Sequence, residues 1–221
     1  MMKITMIVTI CSAIMFGAFA DSPEITLTTK KGYTLEFVIQ DTTFDKAIQR
    51  RLTDVFFSVY PKLAKTYNKN AVKTVSITID TTYDGVAYAH NGKVVIAQAW
   101  LKKNPGDVDV VTHEVMHIVQ AYPPRSGPGW LVEGIADYVR YKYGIDNAGA
   151  NWTLPELKPE HHYTNSYRIS ARFLDWVEHN KKKGTVKKLD KALRERAYKK
   201  QIWETITGAS LDELWDAYTA G

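Results

Sequence analysis

The run His113-Glu114-Val115-Met116-His117 has the residue types and spacing for metal-assisted hydrolysis. Residues four apart on a helix lie about 40° apart around the axis and one turn apart along it, so both imidazoles can meet a single ion. Glu114 can face a water beside that ion without being a ligand, where a general base must stand. These nitrogen and oxygen donors suit zinc, and catalytic zinc sites typically take three protein donors. Glu133 is the candidate third. It lies in Trp130-Leu131-Val132-Glu133-Gly134-Ile135-Ala136-Asp137-Tyr138, after a tight Pro123–Gly129 connection that lets two helices return alongside each other. Its neighbours Leu131, Val132, Ile135, Ala136 and Val139 are apolar, so Glu133 and Asp137 are carboxylates on a core-like helix and need partners. Asp137 is expected to accept the outer N–H of a ligating histidine and fix its tautomer. A surface pairing with Arg140 or Tyr141 is the alternative. Gly134 marks a close approach by another backbone or a substrate, or packing alone.

The elements that must hold these residues can be read from hydrophobic periodicity. Ile25–Thr29 and Thr34–Ile39 flank Lys31-Gly32 as a hairpin. Phe44–Tyr67 has apolar residues at three-and-four spacing, a long amphipathic helix containing Pro61, a potential kink. Val72–Ile79 alternates as a strand with one buried face. Asn91-Gly92 between Gly85–His90 and Lys93–Ala97 is a strong hairpin signal, because both residues tolerate positive φ. Lys93–Ala97 is expected to offer an exposed edge for an extended peptide. From there the pattern is helical: Asp107 or Asp109 capping a helix through Ala121, then Leu131–Tyr143 ended by Gly144, Ser166–His179, Val186–Ala197 and Gln201–Ile206. Ser210-Leu211-Asp212-Glu213 is a capping box opening a last helix through Tyr218. Strands first and helices later describe an α+β fold.

A chain of 221 residues fits one globular domain. Residues 1–20 have the pattern of a signal peptide: Lys3, an apolar run over Ile4–Gly17 and the small-x-small Ala18-Phe19-Ala20. Cleavage before Asp21 leaves a single domain over residues 21–221, exported to a periplasm or the extracellular space. The apolar run is shorter than a membrane span of about 20 residues, so no stable membrane insertion is expected after cleavage. The one cysteine, Cys11, lies in that segment, which leaves no disulfide, thiol nucleophile or thiolate ligand in the mature chain. The net charge of +5 reads as lysine pairs scattered over solvated faces, not the basic stripe with aromatics of a nucleic-acid binder.

His113–His117 followed by Trp130-Leu131-Val132-Glu133-Gly134-Ile135-Ala136-Asp137-Tyr138-Val139-Arg140 resembles the plant basic secretory protein family and its bacterial relatives. These are zincin-like, gluzincin-type metallopeptidases. The similarity extends from the Val72–Ile79 strand through Gly85–Tyr88 to Tyr167–Leu174 and Gly208–Tyr218. The resemblance implies a zincin-like domain with His113, His117 and Glu133 on Zn2+, Glu114 as base and Asp137 behind a ligand. Tyr167, which opens a helix downstream and matches a family tyrosine, is the candidate for stabilising the oxyanion; Tyr163, His161 and His162 compete for the role. Trp130 and Trp152 are placed in a subsite or in the core. The reading is a monomeric zinc peptidase, expected to be an endopeptidase, whose partner is a peptide or protein substrate. The alternatives are a zinc amidase acting on a modified peptide or glycopeptide, and an inactive binding or defence protein on the same scaffold.

Overall fold

The computed structural model describes residues 22–221; the signal-segment expectation for residues 1–20 lies outside them. Strand β1 (Glu24–Lys30) turns through Lys31 and Gly32, both at positive φ, into β2 (Tyr33–Ile39). Helix α1 (Lys46–Thr66) is capped by Asp45, whose carboxylate accepts the Ala47 N–H at 2.6 Å. It runs through Pro61 without a break and carries the chain to β3 (Thr74–Asp80), parallel to β2. Strands β4 (Ala87–His90) and β5 (Lys93–Ala97) form the Asn91-Gly92 hairpin, with φ of 49° and 77° at the turn.

The sheet order is β1-β2-β3-β5-β4, with β5 parallel to β3 and antiparallel to β4. This corrects the edge expectation: β5 is interior, and β4 is the edge strand on that side, with β1 at the other edge. Val94 and Ile96 of β5 are fully buried, as an inner strand requires. Leu35, Phe37 and Ile39 of β2, with Val75, Ile77 and Ile79 of β3, project from the inner face of the sheet, and Leu52, Phe56, Val59 and Leu63 of α1 join them in the core. Burial of this apolar surface is what holds sheet and helix together.

A short helix α2 (Gln98–Lys103) follows β5 without a loop, and α3 (Val110–Gln120) then packs against α1, β4 and β5. Helix α4 (Gly129–Tyr143) packs on α3 and α5 (Tyr167–Asn180); α6 (Thr185–Arg194), α7 (Ile202–Thr207) and α8 (Leu211–Thr219) complete the C-terminal half. Gly134 explains the close packing of α4 and α5: a Cβ there would lie 2.6 Å from Ser170 Cβ. Packing, then, accounts for this glycine. The Ser210–Glu213 capping box forms as expected.

Neither Asp107 nor Asp109 caps α3 with its side chain, a second correction. Asp109 accepts from the Thr112 hydroxyl at 2.6 Å and from the Ile145 N–H at 2.9 Å, tying the start of α3 to the loop after α4. Asp107 accepts from Trp100 Nε1 at 2.8 Å and pairs with Arg140. Both carboxylates found longer-range donors than the first-turn amides, because the loop after α4 folds back over this end of the helix.

Candidate active site

Helix α3 presents His113 and His117 one turn apart, and α4 runs back beside it to deliver Glu133. The Nε2 atoms of the two imidazoles are 3.1 Å apart, and Glu133 Oε2 lies 3.3 Å from the first and 3.4 Å from the second. The donor edges of a tetrahedral zinc with ligands at about 2.0–2.1 Å are roughly 3.3–3.4 Å. The three atoms therefore lie as the corners of one face of such a site, and they are the His/Asp/Glu cluster with metal-ligand spacing among the described residues.

Each histidine is fixed from behind. Asp137 Oδ1 accepts from His113 Nδ1 at 2.7 Å, which turns Nε2 toward the cluster. Arg140 is engaged with Asp107 instead of Asp137. His117 Nδ1 donates to Gln120 Oε1 at 2.7 Å, and the same amide donates from Nε2 to the Val132 carbonyl at 3.0 Å. Gln120 thus bridges the histidine-bearing helix to the residue before Glu133. Sequence reading missed it, though a lone glutamine three residues after His117, beside apolar Ile118 and Val119, is a readable signal.

The charges in the cluster shape its titration. Burial works to lower the His113 pKa, yet hydrogen bonds to Asp137 and Glu133 outweigh it and push it up to about 10. Burial likewise works to raise Glu133, but the two imidazoles hold its carboxyl well below the usual carboxylate range. Burial raises Glu114, opposed by the same imidazoles. A raised imidazole pKa means that metal-free His113 carries a proton on Nε2 at neutral pH, which must leave before that atom can ligate. The zinc association constant should accordingly rise about tenfold per pH unit between pH 6 and 9, with one proton released per ion; competition titrations across that range check it, and a flat profile contradicts it.

These groups line one cleft of about 980 Å³, together with Tyr83, the edge strand β4, Trp100, Arg140, Trp152 and Tyr167. Ser166 and Tyr167, at φ of 69° and 48°, turn the chain into α5 and stack the Tyr167 ring near His113, with centroids 6.3 Å apart. The negative charge of Glu133, with burial and Asp137, raises the phenol pKa, so it stays a hydrogen-bond donor. The competitors face elsewhere. Tyr163 donates to Asp212 at 3.0 Å, the His161 ring accepts from the Lys158 N–H, and His162 caps the 3-10 turn at residues 163–165. Trp130 packs with Tyr163 and Trp203 in the core, whereas Trp152 lies in the cleft.

The architecture is that of a zinc metallopeptidase of known structure. A two-domain M1 zinc metallopeptidase, crystallised as a mutant bound to L-tryptophan, superposes with a TM-score of 0.53 at 13% identity, over 90% of this chain and 52% of its own. This chain spans about half the length of that enzyme, and the likeness is one of fold. Residues 22–218 match the family model of the BSP peptidases of plants and bacteria, and the chain belongs to that family. No curated protein matches it.

Proposed function

We propose that this chain is an exported zinc-dependent peptidase, acting as an endopeptidase, with His113, His117 and Glu133 as the zinc ligands. The observation that carries the reading is the convergence of three donor atoms at tetrahedral-edge distances beside a buried glutamate that is not one of them. A zinc ion held there supplies Lewis acidity, polarising a carbonyl and bringing the pKa of water to about 7. Glu114 takes the proton from the attacking water and passes it to the leaving amine. The Tyr167 hydroxyl donates to the oxygen on which negative charge develops. Asp137 and Gln120 keep both histidine rings in the ligating tautomer and orientation. The β4 edge, which lines the cleft, is where an extended peptide adds.

Export is supported by the residue pattern of positions 1–20, and among the described residues no helix is long and apolar enough to cross a membrane. The inactive-scaffold alternative is disfavoured by Glu114, because a purely structural site has no use for a buried carboxylate beside its ligands.

Casein cleavage by the zinc-loaded protein, its loss to a chelator and its return with zinc test the reading; a zinc-replete protein that cleaves no peptide bond overturns it. Glu133→Ala should weaken zinc binding most, by at least about tenfold, with Asp137→Ala and Gln120→Leu milder. Unchanged zinc affinity in Glu133→Ala removes it from the ligand set.

A further inference from the structure

The chain's positive surplus has a single source, which corrects the impression of scatter. Ten of the 29 basic residues and two of the 24 acidic ones fall between positions 181 and 200, so that segment has a net charge of +8; the remaining 19 basic and 22 acidic residues sum to −3. The fold then sorts the segment. Helix α6 turns Val186, Leu189, Asp190 and Leu193 inward, and its exposed positions, Lys187, Lys188 and Lys191, are all lysine. Lys181, Lys182 and Lys183, also exposed, form the turn that leads into it.

Little neutralises this face. Glu195 pairs with Lys191 at 3.7 Å, on the exposed surface. Glu178 spends its carboxylate on the Gly184 and Val186 N–H groups, and Asp190 is buried against Arg194 and Tyr122. The ammonium groups of Lys182, Lys183, Lys187 and Lys188 make no ion pair or hydrogen bond among the described residues.

We propose that this lysine face docks the protein on an anionic phospholipid surface. A cluster of four to eight basic residues on an amphipathic helix is sufficient for such attraction. The other polyanions fit less well. Between 181 and 200 the one aromatic, Tyr198, is half-buried, and the half-buried Trp176 ring next to this segment is covered by the Lys181 ammonium at 5.2 Å, so little ring surface is offered for stacking on bases. The exposed cations are nearly all lysines, which act as point charges and not as the bidentate forks that read single phosphates. The face is the outside of a helix with no groove to hold a strand, and a plane of headgroups suits a convex row of exposed ammonium groups. No exposed apolar side chain on α6 accompanies them, so docking is electrostatic, without insertion.

The inner side of the same helix ties docking to the cleft. Arg194 donates to the Val119 and Gln120 carbonyls at the end of α3, at 3.3 and 3.1 Å, and to Tyr67 O at 2.8 Å. A protein held by α6 therefore presents the metal-site helix in a fixed attitude to the surface. The inference stands apart from the peptidase reading.

Co-sedimentation of the full chain with vesicles tests it, using phosphatidylcholine alone or mixed with phosphatidylglycerol. The wild type should bind the anionic vesicles, ignore the neutral ones and detach as salt is raised. K187E/K188E/K191E should lose at least about a hundredfold in partition, since each change removes one attraction and adds one repulsion. The charge-matched K62E/K65E/K103E, on exposed positions elsewhere, should lose far less. K181E/K182E/K183E, which leaves α6 itself untouched, should weaken binding in the same direction. Casein cleavage in solution should stay at the wild-type rate in the α6 variant, separating docking from turnover. No binding to anionic vesicles, equal loss in the control triple, or stronger retention on heparin or duplex DNA than on vesicles overturns the proposal.

Discussion

Glu114→Gln should keep its zinc and lose about 10²–10⁴ in the rate of casein cleavage, the usual contribution of a positioned acid–base group. Glutamine preserves the shape and helical preference of the residue, so α3 and the three ligands on either side of it stay in place. What it removes is an exchangeable carboxylate. Glu114 is buried on the cleft wall, and that burial, opposed by His113 and His117, moves its pKa upward from the ordinary carboxyl value. Metal content by atomic absorption and turnover on one sample separate the two roles. A zinc-replete variant that cleaves at the wild-type rate refutes Glu114 as the base, and one that loses zinc refutes its position outside the ligand set.

Arg140→Ala should destabilise the zinc-loaded fold by about 3–5 kcal/mol, because it leaves the Asp107 carboxylate buried without its counter-charge. For a domain of this size that corresponds to a fall in Tm on the order of 10 °C. The Arg140 guanidinium donates to Asp107 at 2.5 Å and to Asn147 at 3.1 Å and lies over the Trp152 ring at 4.6 Å, with both members of the ion pair under a tenth exposed. Arg140→Lys keeps the charge but not the fork or the stacking, so it should fall between the two. Calorimetry showing Arg140→Ala melting with the wild type would mean that the pair contributes nothing net.

The parts of the molecule governed by local rules were legible in the sequence. Asn91-Gly92 announced its hairpin, Ser210 and Glu213 their cap, and the four-residue spacing of His113 and His117 their shared face. Glu133 was reachable because the connection before it is short and its neighbours are apolar, which forces the two helices together. What escaped depends on pairing between distant segments. The hairpin signal says that β4 and β5 are neighbours, but not that β5 inserts beside β3 and leaves β4 outside; the three consecutive apolar residues Val94-Val95-Ile96 were the clue to a central strand. Helix α2, six residues long, is too short to show a period. Asp107 and Asp109 looked like caps because nothing nearby in sequence announced Arg140 or the Ile145 amide. The charge of the 181–200 segment was visible in composition, but its gathering on one face emerged only once α6 had an inside and an outside.

Ser166 occupies φ 69° and ψ −179°, a region that glycine alone enters freely, and Tyr167 follows it in the left-handed region. Conformations of this kind cost on the order of 1–3 kcal/mol each and persist only where the surroundings impose them. The domain thus gives up part of its stability to hold a phenol beside His113. Backbone relaxation at 166 and a well-aimed ring at 167 are opposed goods, and a more robust molecule could be had there at the expense of the place the proposed function gives that ring.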